Sequence, residues 1–295
     1  MNGIVIRACA KVNLFLDVSA KNTDGYHSVN TVMLSHSLSD RVVISREGNG
    51  IKLLCSESRL PVDEKNIAFR AADAFYKITG FNPSVTISLE KNIPFQAGMG
   101  GGSTDAAAVI RGLNVIYGNP LDSDSEEKLA RTFGADVPFF LRGGCYRLSG
   151  RGDIFEEKLN VPKCGLLFIK PDAGISTPDA YKELDRLYRD FSGYVPRDYK
   201  KLTAATAGNE FGKICGSIFN IFDMTLPELC PLNIEILNVL RCLTPGAVLS
   251  GSGSSVCGFF RTEKAAINAE KKIRKEHPLL HTYVSVPTEK ALFTE

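Results

Sequence analysis

The chain has 295 residues, 44% of them hydrophobic and 23% charged, with a formal net charge of +2. That length exceeds what one ordinary core organises and predicts one large or two medium domains. The composition suits a globular protein with a sizeable core, and the near-zero charge excludes a general attraction to nucleic acid or anionic membrane. The stretch from Lys264 to Lys275 is basic, yet Glu263, Glu270 and Glu276 accompany it, as on the solvated face of a helix. Eight cysteines are scattered with no CxxC pair and no zinc-type spacing, so reduced, buried thiols of a cytosolic protein are expected. Arg7, Lys11 and Asp17 interrupt the first apolar run, unlike a signal peptide. No stretch approaches the ~18 apolar residues of a membrane span. A soluble, cytoplasmic protein is expected.

Ile4 to Ser19 mixes β-branched and apolar residues and predicts a strand, followed by a turn at Asp24-Gly25. Val29 to Leu38 and Val42 to Ser45 predict two more strands. Ile67 to Thr79 has helical spacing through Ala68, Ala71, Ala72 and Phe75, and Gly80 stops it. Val85, Ile87 and Leu89 alternate as a half-buried strand. That strand feeds a glycine-rich loop and then a helix opened by Ser103, Thr104 and Asp105, whose side-chain oxygens suit free backbone donors. Ala106, Val109, Ile110, Leu113 and Ile116 make its apolar stripe, and Gly118 ends it. A second helix, over Ser125 to Phe133, leads through Gly134 to Asp136-Val137-Pro138. Beyond Gly150 the pattern restarts with a buried strand at Leu166 to Ile169. Thr177 as N-cap and Pro178 at the first helical position open a helix through Tyr188. Ser192 to Lys201 is loop-like. Strands at Ala247 to Leu249 and Val256 to Phe260, a helix from Thr262 to Glu276 and a strand at Tyr283 to Val286 complete the chain. Strands and helices alternate in both halves, which predicts two units, residues 1–160 and 161–295.

The loop Pro94-Phe95-Gln96-Ala97-Gly98-Met99-Gly100-Gly101-Gly102-Ser103-Thr104 places four glycines within five positions between a strand and a helix. Glycines let backbone N–H groups approach an anion, and the helix N-terminus adds partial positive charge, so the segment can cradle phosphate. It lacks the Gly-Lys-Ser/Thr of a Walker A motif, and Ser103 or Asp105 stands where GxGxxG needs its third glycine. Protein-kinase His-Arg-Asp and Asp-Phe-Gly signatures are absent as well. A tight structural turn is the ordinary alternative for such a loop.

Three further segments accompany it: Ala10-Lys11-Val12-Asn13, Gly134-Ala135-Asp136-Val137-Pro138 and Leu249-Ser250-Gly251-Ser252-Gly253-Ser254-Ser255. Taken in order with the glycine loop they resemble the GHMP superfamily, named for galactokinase, homoserine kinase, mevalonate kinase and phosphomevalonate kinase. Finer detail comes from Ala10 through Val18, Asp24-Gly-Tyr-His, Leu38-Ser-Asp, Gly134 through Leu141, and Gly150-Arg-Gly-Asp. This ordered set is similar to the 4-diphosphocytidyl-2-C-methyl-D-erythritol kinase family of the non-mevalonate isoprenoid pathway. Two positions depart from that family. Ser254 stands where it commonly has proline, and Ile221 follows Asn220 where it commonly has aspartate.

The resemblance implies an α+β fold with an N-terminal ribosomal-protein-S5-like domain, a C-terminal ferredoxin-like domain and a site in the cleft between them. It implies ATP-dependent phosphorylation of the 2-hydroxyl of the diphosphocytidyl-methylerythritol acceptor, with ATP on the loop from Pro94 to Thr104 and Mg²⁺ beside its phosphates. Asp136 matches the superfamily's catalytic aspartate; it stands in an apolar stretch, where an unpaired carboxylate is costly, and helix capping is its ordinary alternative. Lys11 matches a lysine lying near that aspartate and the transferred group, although a strand lysine ordinarily faces water. Asn13, on the same strand face, is implied to touch the acceptor. Tyr26 is implied to stack on cytosine, His27 to bond its edge, and Tyr181 to close the sandwich; a Tyr-His pair after a turn is otherwise surface. Ser103 and Thr104 can be caps, phosphate ligands or both, and no carboxylate ligand for Mg²⁺ stands out. Gly251 to Ser255 lies against the cleft or forms a structural turn. The partners implied are small molecules, with neither nucleic acid nor membrane, and a monomer or homodimer. Two rivals remain: a GHMP kinase for mevalonate or homoserine, whose acceptor has no base to stack, and a non-catalytic nucleotide-binding regulator, expected to lose Lys11 and Asp136.

Overall fold

The chain opens with two 19-residue strands, β1 (Gly3–Lys21) and β2 (His27–Ser45), paired antiparallel along almost their whole length. The computed structural model describes residues 2–22, 25–190 and 194–295. After β2 come β3 (Gly50–Cys55), α1 (Ile67–Thr79), β4 (Ser84–Glu90), α2 (Gly101–Ile116), α3 (Ser123–Arg131), α4 (Val137–Arg142), β5 (Cys145–Ser149) and β6 (Ile154–Leu159). Next follow β7 (Gly165–Lys170), α5 (Thr177–Asp190), α6 (Lys200–Ala207), α7 (Phe211–Cys215), β8 (Phe219–Asn220) and a 3₁₀ turn, Ile221–Thr225. The last elements are α8 (Leu226–Leu229), α9 (Pro231–Leu243), β9 (Gly246–Leu249), β10 (Val256–Phe260), α10 (Glu263–Glu276), β11 (His281–Ser285) and β12 (Leu292–Thr294).

Among the described residues the strands form one sheet of eight and one of four. In the first, the order is β12-β1-β2-β4-β3, with β5 on β2, β6 on β5 and β8 on β1. β2 is a single strand where the sequence suggested two, because its outer edge serves two partners. Thr31 to Leu34 pair with β5 and Arg41 to Ser45 pair with β4, so backbone groups on both halves are satisfied. The second sheet runs β11-β7-β10-β9, all antiparallel. Numbered by its own strands that is 4-1-3-2, the ferredoxin-like order the resemblance implied. The sheets meet along a seam where Ser37 N–H donates to Val286 O at 2.8 Å and Thr288 N–H to Ser35 O at 2.9 Å. His36, wholly buried there, stacks on Phe168 at 4.5 Å and bonds Ser285 at 2.9 Å. Burial drives its pKa down to about 3, so the imidazole is neutral.

Local signals explain several elements. Asn66 accepts the N–H of Ala68 and Gly80 adopts φ 74°, so α1 spans the residues its pattern predicted. Ala68, Ala71, Ala72 and Phe75 bury its stripe against α2 and the first sheet. α2 starts at Gly101, two residues before the expected cap, because Gly100 at φ 75° takes the left-handed turn and Ser103, Thr104 and Asp105 already lie inside the helix. α3 starts at Ser123 rather than Ser125, with Asp122 accepting the N–H of Ser125. For α5 the capping side chain is Ser176, accepting from Asp179 N–H at 3.2 Å, whereas Thr177 bonds Ser252 at 3.0 Å. The turn expected at Asp24-Gly25 and the loop from Ser192 lie partly outside the described residues; α6 begins at Lys200, inside that expected loop.

All eight cysteines are free; six are buried as expected, while Cys55 is half-buried and Cys242 exposed. No described helix is long and apolar enough to cross a membrane.

At Gly112 α2 packs tightly on the sheet, where a Cβ would fall 2.4 Å from Ile44 Cδ1 and 3.1 Å from Ile6 Cδ1. Gly112→Val should therefore cost about 1–3 kcal/mol from overpacking. That outweighs the helix-propensity gain of under about 1 kcal/mol. Urea unfolding measures it, and an unchanged midpoint would contradict this packing.

Candidate active site

A cleft of about 740 Å³ lies where β1, the glycine loop, α5 and the loop after β9 converge. Lys11 and Asn13 enter it from β1, Asp136 from the turn before α4, Tyr181 from α5, and Gly251 and Ser252 from the opposite wall. Lys11 is only 5% exposed, because β1 is paired there with β2 on one edge and covered by the glycine loop on the other. Its ammonium donates to Asn13 Oδ1 at 2.8 Å and stands 3.7 Å from Asp136 Oδ2. Asn13 Nδ2 donates to Thr31 Oγ1 at 2.7 Å, and that hydroxyl donates to Phe15 O at 2.7 Å. The chain of bonds fixes the lysine head in one place. Asp136 occupies the N-cap position of α4, yet its side chain makes no capping bond. At 35% side-chain exposure it faces the cleft instead.

The glycine loop is held on two sides. Met99 O accepts the N–H of Lys11 at 3.0 Å, binding the loop to β1. Gly100 has no room for a side chain, since a Cβ would meet Phe140 at 2.6 Å and Lys11 Cγ at 3.3 Å. The first N–H bonded within α2 is that of Thr104, to Gly100 O at 2.9 Å. The amides of Gly101, Gly102 and Ser103 precede it and are the free donors of the helix start, all three residues lining the cleft. Pro94 to Ser103 line the cleft without a gap. Thr104 does not; it is wholly buried, its hydroxyl without a partner among the described residues.

Opposite, the segment from Ser250 to Ser255 interlocks with this loop. Ser250 Oγ donates to Gly98 O at 3.2 Å, and Ser254 N–H donates to Gln96 O at 3.3 Å. Ser254 is one of the two departures noted above, and proline could not donate that bond. Asn220 Nδ2 donates to Leu249 O at 2.8 Å and Gly251 O at 2.7 Å, while Leu249 N–H donates to Asp223 Oδ1 at 3.1 Å. An aspartate thus serves this wall three residues after Asn220, beyond the Ile221 departure.

A second pocket of about 410 Å³ adjoins the cleft and shares Val29, Arg151 and Tyr181 with it. Tyr26 and His27 open onto it. Tyr26 is 51% exposed, and the Arg151 guanidinium covers its ring 3.4 Å from the centroid. His27 Nδ1–H donates to Ser19 O at 2.7 Å, which leaves Nε2 3.3 Å from Asp185 Oδ1 without hydrogen-bond alignment. Tyr181 packs between His27, at 5.1 Å, and Phe222, at 5.0 Å. Burial, and secondly the Asp136 charge, push its phenol up to about 12, so it stays neutral.

The structure therefore gathers Lys11, Asn13, Pro94 to Ser103, Asp136 and Tyr181 in one cleft, with Tyr26 and His27 in the adjoining pocket. Several neighbours escaped the sequence reading. Thr31 buttresses Asn13, Arg151 covers Tyr26, and Lys91, lining the cleft beneath the loop, pairs with Asp40 and Asp105. Asp40 and Arg151 lay within the quoted Leu38-Ser-Asp and Gly150-Arg-Gly-Asp segments.

Residues 66–144 match the GHMP kinases N terminal domain and residues 200–279 the GHMP kinases C terminal. A 4-diphosphocytidyl-2-C-methyl-D-erythritol kinase of Syntrophomonas wolfei is 35% identical over 289 residues, covering 95% of this chain and 99% of that protein. A crystal structure of a 4-(cytidine 5'-diphospho)-2C-methyl-D-erythritol kinase superposes with TM-score 0.80 at 31% identity, covering 96% of this chain and 99% of that one. A homoserine kinase from Cytophaga hutchinsonii has TM-score 0.78 at 19% identity, covering 100% and 98%, a likeness of fold alone.

The interlock makes a stability prediction. At Gly98, φ is +70° and a Cβ would fall 1.9 Å from Ser250 O, whereas a Cβ on Gly102 would meet only Ile67 at 3.5 Å. Gly98→Ala should lose more than about 1 kcal/mol. Gly102→Ala should change stability by about 0.5 kcal/mol or less. Equal thermal midpoints for the two variants would contradict the interlock.

Proposed function

The chain belongs to the 4-diphosphocytidyl-2-C-methyl-D-erythritol kinase family of the GHMP kinases, and from that membership we propose how its own residues transfer the γ-phosphoryl group of ATP to the acceptor's 2-hydroxyl. The observation that carries the reading is the meeting of Lys11 and Asp136, 3.7 Å apart, with the free amides of Gly101 to Ser103 in one cleft. The acceptor oxygen attacks the γ-phosphorus, the bond to the β,γ-bridging oxygen breaks, ADP leaves, and Asp136 receives the hydroxyl proton. Lys11 balances charge on the transferring group and pairs with Asp136 at 3.7 Å. The loop from Pro94 to Ser103 holds the triphosphate, with Thr104 buried behind it. Lys11 and Asn13 face the acceptor, whose cytosine sits in the adjoining pocket against Tyr26 and Tyr181, with His27 at its edge.

We propose Mg²⁺ as the companion of ATP. Among the described residues no three His, Cys, Asp or Glu side chains gather. That fits an ion held chiefly by phosphate oxygens and water, with the Ser103 hydroxyl the protein group at hand. Bound there, it would offset negative charge on the phosphates. We place the division of the chain between β6 and β7, residues 1–160 forming the ATP-binding unit and 161–295 the second, although β8 and β12 of the second return to pair with β1 in the first sheet. One chain supplies both walls of the cleft, so a monomer suffices and a homodimer is compatible. Eight free thiols support a cytoplasmic location.

Purified protein with ATP, Mg²⁺ and a panel of acceptors tests the reading, the product being identified by mass. Phosphorylation of the cytidyl acceptor is expected; transfer to mevalonate or homoserine alone would contradict it. Tyr26→Ala should raise KM for the cytidyl acceptor by about 5- to 150-fold, the equivalent of roughly 1–3 kcal/mol per stacked base. KM for ATP should stay put. Stacking tolerates every base, so His27→Ala should relax discrimination against a uridyl analogue. Equal changes in both KM values would remove the base from this pocket.

A further inference from the structure

Beneath the glycine loop lies a buried cluster of one ammonium and two carboxyl groups that the transfer chemistry does not use. We infer that Lys91 is a positioning residue for the nucleotide, its ammonium bridging Asp40 and Asp105 so that both ends of the glycine loop are tied to one point. The inference rests on the nucleotide-binding role proposed for that loop.

Each link is local and directional. Lys91 Nζ donates to Asp40 Oδ2 and to Asp105 Oδ2. Asp40, wholly buried on β2, uses its other oxygen to accept the N–H groups of Asn92 at 2.6 Å and Ile93 at 2.8 Å, where the chain enters the loop. Asp105 lies in the first turns of α2, where the chain leaves the loop, and is 2% exposed. Its Oδ1 is buried without a hydrogen-bond partner among the described residues, so Lys91 is what holds this carboxylate. Lys91 is itself anchored, its N–H donating to Ser56 Oγ at 2.8 Å. Its ammonium reaches to 3.6 Å from where a Cβ on Gly101 would stand, directly under the free amides.

Stability alone is a poor explanation of this arrangement. Burying two carboxylates for one ammonium costs more than apolar packing would, and buried ion pairs are seldom net stabilising. Burial pushes the Asp105 carboxyl up to about 8 even with the lysine beside it. Burial would also lower the Lys91 pKa, but Asp105 and Asp40 more than reverse that and keep it charged. What the cluster provides is geometry: a fixed distance between loop entry and loop exit, hence a fixed orientation of the amides that would face phosphate.

The test uses the non-hydrolysable analogue AMP-PNP with Mg²⁺, which reads nucleotide affinity whatever the acceptor. Affinity by calorimetry and Tm without nucleotide are measured for wild type, Lys91→Met and the double variant Lys91→Met/Asp105→Asn. Lys91→Met strands two buried carboxylates and should lower both Tm and affinity, the latter by about tenfold or more through lost preorganisation. The double variant removes one stranded carboxyl group without restoring the bridge. It should regain most of the Tm while its affinity stays about tenfold or more below wild type. Affinity returning together with Tm would show that the lysine only neutralises charge and would overturn the proposal, as would unchanged affinity in Lys91→Met. If Lys91→Met does not fold, the double variant against wild type carries the comparison. A wild type that bound no nucleotide would instead overturn the kinase reading, and the role of Lys91 with it.

Discussion

An ammonium group buried in the middle of a strand must be matched by its surroundings, and the region around Lys11 is organised by that requirement. Asn13 takes one of its protons, Asp136 stands opposite, and backbone crowds it from both sides. A side chain on Gly100 would reach within 3.3 Å of Lys11 Cγ, and one on Gly251 within 3.2 Å of its Nζ. The glycine loop and the Ser250 to Ser255 segment can close around the lysine only because both lack side chains at those points. A residue that ordinarily faces water thus acts as the pivot between two loops that belong to different sheets.

That pivot fixes the rest of the site by simple geometry. The loop bonded to β1 through Met99 presents the amides of α2 toward Lys11, so an anion there lies beside a fixed cation. Asp136 approaches from the turn before α4, and the aromatic pocket of Tyr26, His27 and Tyr181 opens beyond it. The seam of β2 with the segment after β11 and the bonds of Asn220 keep the opposing wall in register. The end proposed to bind phosphate, with Lys11 and Asp136, thus lies in the cleft, and the end proposed to bind the base lies in the adjoining pocket.

Much of this was legible in the chain itself. α1 and β10 were readable to the residue, since helical spacing of apolar residues, a terminal glycine and a short apolar run are local signals. The start of α2 was not, because three successive glycines read as loop although the left-handed Gly100 lets the helix begin among them. β3, β5 and β6 were missed because their pairing depends on β4 and on the far edge of β2, which no short window contains. The brief helices α6 to α8 are stabilised by packing rather than propensity, though the apolar spacing of Ile236, Leu237 and Leu240 in α9 was open to reading. The site followed the same division. Lys11, Asp136 and the glycine loop stood out by ordered resemblance, whereas the Lys91 cluster joins residues 51 and 14 positions apart and declares itself only in three dimensions.

The central claim is that Lys11 acts on the transferring group rather than on the binding of either substrate. Steady-state kinetics of Lys11→Met tests it most directly, because methionine keeps the length and removes the charge. The account predicts kcat lower by about 10²–10³-fold, the scale of a lost charge-stabilising donor, with KM for ATP and acceptor nearly unchanged. A variant that kept wild-type kcat, or lost only affinity for ATP, would contradict it.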